Sequence, residues 1–138
     1  MRTDWRLIVA VAVGGALGSV ARYLLGAFIQ DRVSIGLPVG TLVINVAGSL
    51  LLGFFMALGL ETTAFTPEVR FFLTTGFCGG FTTFSTFSYE TYRLIEDGEY
   101  RTAGIYAVAS VVLSVFACAL GFGAARRMIG SRSAAGAD

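Results

Sequence analysis

Four long apolar segments limit what this 138-residue chain can fold into. They run from about Trp5 to Ile29, Leu37 to Leu60, Pro67 to Ile95 and Tyr100 to Met128. Each has the roughly 20 residues that a helix needs to cross a bilayer. Only 14% of the chain is charged, against roughly 25% in soluble domains. We therefore predict an all-α membrane protein, with four transmembrane helices in a single domain over residues 1–129 and a disordered tail over 130–138.

The third segment carries glycines and hydroxyls at a depth where a spanning helix is otherwise apolar. From Gly76 to Phe87 the sequence reads GFCGGFTTFSTF. Lipid offers no partners to backbone N–H and C=O groups, so irregular backbone persists there only where it lines a cavity or binds an ion. Transporters use broken helices of this kind to present carbonyls and helix ends to ions. The sequence therefore predicts a broken third helix and a role in transport.

All ten basic residues are arginine, and the four predicted helices divide them almost evenly between the two sides of the membrane. An excess of Lys and Arg in short loops sets the orientation of a membrane protein. A ratio of six to four is a weak excess and permits insertion in both orientations. The six on one side are Arg2, Arg6, Arg70, Arg126, Arg127 and Arg132, and the other four are Arg22, Arg32, Arg93 and Arg101.

Small and polar side chains recur every four residues along three of the segments. Such stripes either pack helices against each other or line a polar pathway. Three stripes together with a broken helix in one short chain favour the pathway. The stripes are Gly14, Gly18 and Arg22; Thr41, Asn45 and either Gly48 or Ser49; and Tyr106, Ser110 and Ser114. Beyond the glycines, Phe84 and Phe87 share one face of a helix, while Ser85, Ser88 and Tyr92 share another.

Three polar residues inside the segments each have two interpretations. The amide of Asn45 either donates hydrogen bonds to an anion or joins two helices. Arg22 is costly in hydrocarbon, so it either marks an anion entry or caps helix ends at an interface. Glu90 follows the predicted break by about 9 Å along the axis. It is either a proton-coupling acid or a hydrogen-bond partner of a neighbouring hydroxyl.

Enzymatic chemistry is not supported by the residues. The chain has no histidine, and no pair of acids flanks a plausible nucleophile. Its two cysteines, Cys78 and Cys118, have no metal-ligand spacing.

The rings of Phe84 and Phe87 belong to a packed core in one interpretation. In the other, their positive edges face a small anion that has lost its water.

Three patterns resemble the signatures of the microbial fluoride channel family, Fluc, which is also called CrcB. They are GGALGSVARY over Gly14–Tyr23, GTLVINVAG over Gly40–Gly48, and the stretch from Gly76 to Phe87. The resemblance extends from about Trp5 to Arg127. It implies a homodimer of two antiparallel chains, with two fluoride pathways, in the plasma (inner) membrane.

The resemblance also implies roles for individual residues. A structural Na⁺ on the dimer axis would be held by backbone carbonyls of Gly79 and Thr82 from both chains. Phe84 and Phe87 match the pore phenylalanines and Asn45 the pore asparagine. The fourth-helix part of the polar track matches Tyr106, Ser110 and Ser114, and Thr41, Ser85, Ser88 and Glu90 fit the same lining.

The sequence thus predicts passive export of F⁻ that lowers fluoride in the cytoplasm, with Arg22 helping to concentrate the anion. One alternative is a proton-coupled exporter of the small multidrug type, which needs a carboxylate at the centre of its substrate site. The first segment has none, and Glu90 lies off centre. The other alternative is a membrane scaffold that packs through its small residues and transports nothing.

Overall fold

The computed structural model describes residues 4–33 and 36–135, with side chains as far as Ser131. Every regular element in these ranges is helical, which confirms the all-α prediction. The helices are α1 (Trp5–Gln30), α2 (Val39–Glu61), α3 (Pro67–Phe71), a π-helix (Phe72–Cys78), α4 (Gly79–Phe81), α5 (Phe84–Glu96) and α6 (Tyr100–Ala135).

Three of these helices, α1, α2 and α6, are long and apolar enough to cross a membrane without interruption. They coincide with the first, second and fourth predicted segments to within two residues, except at the end of α6. Their outer faces are apolar: on α1, Val13, Leu17 and Val20 are each about half exposed. Apolar side chains on the outside are what a protein surrounded by lipid requires.

The third predicted segment is helical at both ends and interrupted near its middle. Thr66 caps its start, because the Thr66 Oγ1 accepts a hydrogen bond from the backbone N–H of Val69 (3.4 Å), and Pro67 occupies the first turn. The π-helix and α4 continue α3 as far as Phe81. Thr82 and Thr83 are then extended, with ψ angles of 159° and 116°, before α5 begins. The predicted break is therefore confirmed.

The glycines of this segment do not form the break, since the backbone stays helical through them: Gly79 has φ −64° and ψ −38°. They serve close packing instead. A Cβ added at Gly80 would collide with the carbonyl oxygen of Gly15 on α1. A Cβ at Gly18 of α1 would in turn collide with the carbonyl oxygen of Phe77. The absence of side chains lets the two backbones touch, as small residues do in membrane helix pairs.

Helix α2 packs most extensively against α6. Glycines again allow the contact, since a Cβ at Gly53 would collide with the carbonyl oxygen of Cys118, and one at Gly121 with that of Leu50. At one end of this pair, the Nε of Arg126 lies 2.6 Å from an Oε1 of Glu61. The α2–α6 pair and the α1–third-segment pair together form the body of the molecule.

Helix α6 continues to Ala135, so residues 130–135 of the tail that the sequence predicts as disordered are helical in the structure. Once a helix has formed, each further residue adds a hydrogen bond at little cost. Gly130 is unfavourable by about 1 kcal/mol, but no proline follows it to stop the helix. Residues 136–138 lie outside the described residues.

Candidate functional site

Asn45 of α2 holds the interruption of the third segment with both ends of its amide. Its Nδ2 donates to the carbonyl oxygen of Thr83 (3.1 Å), and its Oδ1 accepts from the N–H of Thr83 (2.8 Å). A single side chain thereby satisfies the backbone N–H of Thr83, which the break leaves without a helical acceptor, and gives the Thr83 carbonyl a further donor. Asn45 joins two helices, and the second N–H of its amide remains available to another acceptor.

Thr83 then starts the second half of the segment. Its Oγ1 accepts from the backbone N–H of Thr86 (3.2 Å), which makes Thr83 the N-cap of α5. Sequence reasoning missed this role. The signal was present, because a threonine directly before a run of helically spaced apolar residues, here Phe84 and Phe87, is a common start for a helix.

A cavity of about 240 Å³ lies beside the interruption. It brings together side chains from α2, α5 and α6 that are far apart in the sequence. Six predicted site residues line it: Asn45, Thr82, Phe84, Phe87, Ser110 and Ser114. Ser49 also lines it, as do Leu52, Thr83 and Val111, which sequence reasoning did not predict.

The Ser110 hydroxyl is a buried polar group at this cavity that has no hydrogen-bond partner among the described residues. The residue is only 6% exposed, and among the described residues its Oγ makes no hydrogen bond. A buried hydroxyl without a partner loses about 1–3 kcal/mol of solvation that nothing in the protein returns. A buried hydroxyl of this kind calls for an explanation, such as an ordered water or a bound ion in the adjoining cavity.

Three aromatic rings lead away from the cavity. The ring centroids of Phe84 and Phe87 are 5.5 Å apart, and those of Phe87 and Tyr106 are also 5.5 Å apart, each pair tilted by 47°. Tilted rings at this spacing turn edges toward their neighbours. Phe87 thus connects the cavity at Ser110 with the polar cluster that begins at Tyr106.

That polar cluster is centred on Glu90. The Thr41 hydroxyl donates to Oε1 of Glu90 (2.8 Å), and the Tyr106 hydroxyl donates to Oε2 (2.6 Å). Both carboxylate oxygens therefore have partners, as the second interpretation of Glu90 expected. A second cavity of about 290 Å³ opens beside Glu90, and its lining includes Thr41, Tyr23 and Gln30.

Arg22 lies behind the interruption and lines neither cavity. Its Nε donates to the carbonyl oxygen of Gly80 (3.1 Å), to which the Ser19 hydroxyl also donates (3.4 Å). The side chain therefore caps the end of a helix, which was one of its two predicted roles. The attraction of anions by its charge stays a prediction.

Ser85 and Ser88 are exposed and do not line either cavity of the single chain. The Ser88 hydroxyl donates to the carbonyl oxygen of Phe84 in its own helix (2.9 Å). The Oγ of Ser85 lies 3.3 Å from the Oγ1 of Thr83. Their predicted place in the pathway is not formed by one chain alone.

The predicted metal ligands are Gly79, the first residue of α4, and Thr82, which directly follows its last residue. In an uninterrupted helix the N–H of Thr83 would donate to the carbonyl of Gly79. Here that N–H is bonded to Asn45, and Thr82 has left the helix. The donor set fits a cation such as Na⁺, which unwound carbonyls coordinate in membrane proteins. In residues 4–33 and 36–135, no group of three or more His, Cys, Asp or Glu side chains can hold a metal ion.

Comparison with known proteins decides the family. The model of the CrcB-like family, described as "CrcB-like protein, Camphor Resistance (CrcB)", matches residues 9–122. The chain belongs to this family. The resemblance seen in the three sequence patterns is thereby confirmed.

Curated relatives of this CrcB-like chain are similar over nearly their whole length. A protein of Geobacter metallireducens named "Fluoride-specific ion channel FluC" is 50% identical over 121 residues, which is 88% of this chain and 98% of the relative. One of Nitrobacter hamburgensis, "Fluoride-specific ion channel FluC 1", is 52% identical over 117 residues, 85% of this chain and 93% of the relative. Both are named as channels and neither as an enzyme. Together with three helices capable of crossing a membrane, this similarity makes the chain a multi-pass membrane protein.

Proposed function

We propose that this CrcB-like chain forms a fluoride-selective channel that lets F⁻ leave the cell passively across the plasma (inner) membrane. Relatives that share about half of its residues are named fluoride-specific ion channels. The observation in the chain itself that carries the proposal is the buried Ser110 hydroxyl, which has no partner among the described residues and lines a cavity with two phenylalanine rings.

The lining suits a small anion that has to give up its water. The hydroxyls of Ser110 and Ser114 and the remaining N–H of Asn45 are neutral donors. The ring edges of Phe84 and Phe87 add weak positive potential. Neutral groups replace hydration without holding the ion by a fixed charge, and conduction requires binding weak enough to let the ion leave. A membrane potential supplies the drive, about 2.3 kcal/mol per charge for each 100 mV.

The proposed pathway joins the two cavities. From Ser114 and Ser110 it follows the rings of Phe84 and Phe87 to Tyr106, and then reaches Glu90 and Thr41 at the second cavity. From Phe84 to Glu90 the side chains follow one another, because each ring centroid lies 5.5 Å from the next and the Tyr106 hydroxyl donates to Glu90. The anion would then pass close to a carboxylate only where two hydroxyls already neutralise part of its field.

We further propose that the channel is a homodimer of two antiparallel copies. Phe84 lines the cavity, yet it is 77% exposed in the single chain. Beside it, α5 exposes the hydroxyl residues Ser85 and Ser88 and the aromatic Tyr89. Hydroxyls facing lipid are unfavourable, so a second copy is the better neighbour for this face. The near-balance of arginines supports opposite orientations of the two copies.

A Na⁺ ion held by the carbonyls of Gly79 and Thr82 of both copies fits this arrangement. Gly79 is exposed on the single chain, where a partner can approach. One chain offers only two such carbonyls, so a second copy completes the coordination. The ion would supply a fixed positive charge that joins the two interrupted helices.

Reconstitution in liposomes tests the function. Vesicles loaded with KF or KCl are diluted into potassium glutamate with valinomycin, and a fluoride or chloride electrode records efflux. We expect fluoride efflux at rates far above a transporter cycle, without any pH gradient, and no chloride efflux. Flux that vanishes without a pH gradient would favour the proton-coupled exporter. The absence of any fluoride leak would leave the scaffold as the better description.

The Ser110→Ala variant ties this flux to the observed cavity. Removal of the unpartnered donor is expected to lower the fluoride efflux rate by about tenfold, equivalent to about 1.4 kcal/mol. Ser131→Ala is the matched control, because the Ser131 hydroxyl bonds only within the last turns of α6. Equal flux in both variants would remove Ser110 from the pathway.

A further inference from the structure

The interruption of the third segment ends α4 with carbonyls that have lost their helical donors. In a continuous helix, Gly79, Gly80 and Phe81 would accept from Thr83, Phe84 and Ser85. The first of these N–H groups is bonded to Asn45. Unsatisfied carbonyls at the end of a helix carry its negative partial charge. Each of them is therefore a possible ligand for a cation.

One of these carbonyls is withheld by side chains of α1. The Nε of Arg22 lies 3.1 Å from the oxygen of Gly80, and the Oγ of Ser19 lies 3.4 Å from it. Close packing brings these donors within reach of the Gly80 carbonyl, because Gly80 lies directly against the backbone of Gly15. Gly15 precedes Ser19 by one turn of α1. A guanidinium and a hydroxyl thus point the Gly80 carbonyl toward α1.

We propose that Arg22, assisted by Ser19, is a positioning residue that sorts the carbonyls at the break. It draws the Gly80 oxygen toward α1 and leaves those of Gly79 and Thr82 for the cation. This inference rests on the proposed Na⁺ site and adds a residue that never touches the ion. Arg22 lines neither cavity, so its influence on the pathway is transmitted through backbone.

Arginine suits this task for two reasons. Its planar guanidinium donates from Nε in a fixed direction, whereas a lysine ammonium is a mobile point charge. A cation is also favourable at the C-terminal end of a helix. The charge alone, however, would repel a nearby Na⁺. Loss of the positioning therefore weakens Na⁺ binding, whereas loss of the charge strengthens it. The direction of the change in Na⁺ affinity tells the two roles apart.

A sodium titration of the purified full-length protein makes the test. Thermal unfolding midpoints are measured in detergent as Na⁺ replaces N-methylglucamine, for the wild type, Arg22→Lys and Arg22→Gln. If Arg22 positions the carbonyls, both variants need roughly tenfold more Na⁺ for half of the stabilisation, equivalent to about 1.4 kcal/mol. The proposal is overturned if the Na⁺ concentration for half of the stabilisation is unchanged in Arg22→Lys, or is lower in Arg22→Gln than in the wild type. Arg32→Lys is the control, since Arg32 follows the end of α1 and, among the described residues, donates only to the carbonyl oxygen of Phe28.

Hydrogen exchange provides a readout that does not depend on sodium. Peptides covering residues 79–86 are expected to exchange several-fold faster in Arg22→Lys, while peptides from α2 and α6 keep their rates. If the wild type shows no stabilisation by Na⁺, the proposed ion site fails, and hydrogen exchange alone decides whether Arg22 positions the backbone at the break. Faster exchange in Arg22→Lys supports that role, and equal exchange overturns it. If Arg22→Lys does not fold, Ser19→Ala takes its place, with an expected shift of about threefold in the Na⁺ midpoint. An unchanged midpoint in that variant rejects the proposal.

Discussion

The two halves of the third segment are neighbours in sequence but are held in the protein by different means. The first half, residues 67–81, buries Thr74, Gly76, Cys78 and Phe81 and touches α1 backbone to backbone. The second half, α5, has no buried residue and packs chiefly against α6 through side chains. Close packing fixes the first half, whereas the second half keeps its rings and hydroxyls accessible.

This difference teaches where stability and conduction reside. Backbone contacts through glycine leave no room to adapt, so the first half serves as a rigid support. The exposed face of α5 can accept a partner and an ion because none of its residues is buried in the single chain. Substitutions in the two halves are therefore expected to separate folding from transport.

The largest expected effect is on folding, from Gly18→Ala on α1. The new methyl group would collide with backbone atoms of Phe77 and Phe81, which cannot move aside as a side chain can. We expect a loss of about 3 kcal/mol or more of stability, measured as the yield of monodisperse protein and its unfolding midpoint in detergent. Gly123→Ala is the control, because nothing lies within 4 Å of a Cβ there. Similar stability of the two variants would contradict the rigid-support interpretation.

Asn45→Asp is expected to block fluoride flux by at least about a hundredfold, equivalent to about 2.7 kcal/mol. The carboxylate repels the anion and has no N–H for the Thr83 carbonyl. Liposome efflux measures the loss, and Thr63→Asp, which adds the same charge outside the helices, controls for charge. Normal conduction by Asn45→Asp would mean that the amide only joins helices.

Phe87→Ile is expected to lower fluoride efflux by at least about tenfold while the proposed dimer persists, since isoleucine keeps bulk but has no ring edge. Phe84→Ile is expected to behave in the same way. Size-exclusion profiles check assembly, and Phe116→Ile on the outer face of α6 is the matched control. Wild-type flux in the pathway variants would reject the aromatic role and weaken the comparison of the two halves.

The smallest effect is expected from Glu90→Gln. Its amide oxygen accepts from one of the Thr41 and Tyr106 hydroxyls, and its NH2 group donates to the oxygen of the other. Both contacts therefore persist, and flux should change by less than about threefold, which is under 1 kcal/mol. Efflux is measured with and without a pH gradient. Complete loss of flux, or a dependence on the gradient that the wild type shows and the variant lacks, would point to proton coupling and make Glu90 more than a partner of hydroxyls.

Sequence reasoning predicted the helices well because apolar length is a local property. The bounds of α1 and α2 follow from their apolar runs, and Thr66 and Pro67 mark the start of the third segment. Periodicity also grouped Ser110 and Ser114 on one face of α6, where the cavity now lies.

The place of the break could not be predicted from local sequence. Glycines permit irregular backbone, yet Gly76, Gly79 and Gly80 are helical, and Thr82 and Thr83 are the extended residues. The choice depends on Asn45, which is 38 positions away along the chain. The break also resets the helical phase, so the orientation of Ser85 and Ser88 relative to the cavity was out of reach.

The double hydrogen bond between Asn45 and Thr83 has a consequence for the biogenesis of the protein. When a segment of residues 67–96 is inserted alone into a bilayer, no neighbouring side chain can satisfy the backbone of Thr83. A continuous helix would then be its conformation of lowest free energy. The interruption is then a product of tertiary assembly, created when the second helix arrives. The isolated peptide in lipid should therefore show more helix by circular dichroism than the same residues have in the complete chain.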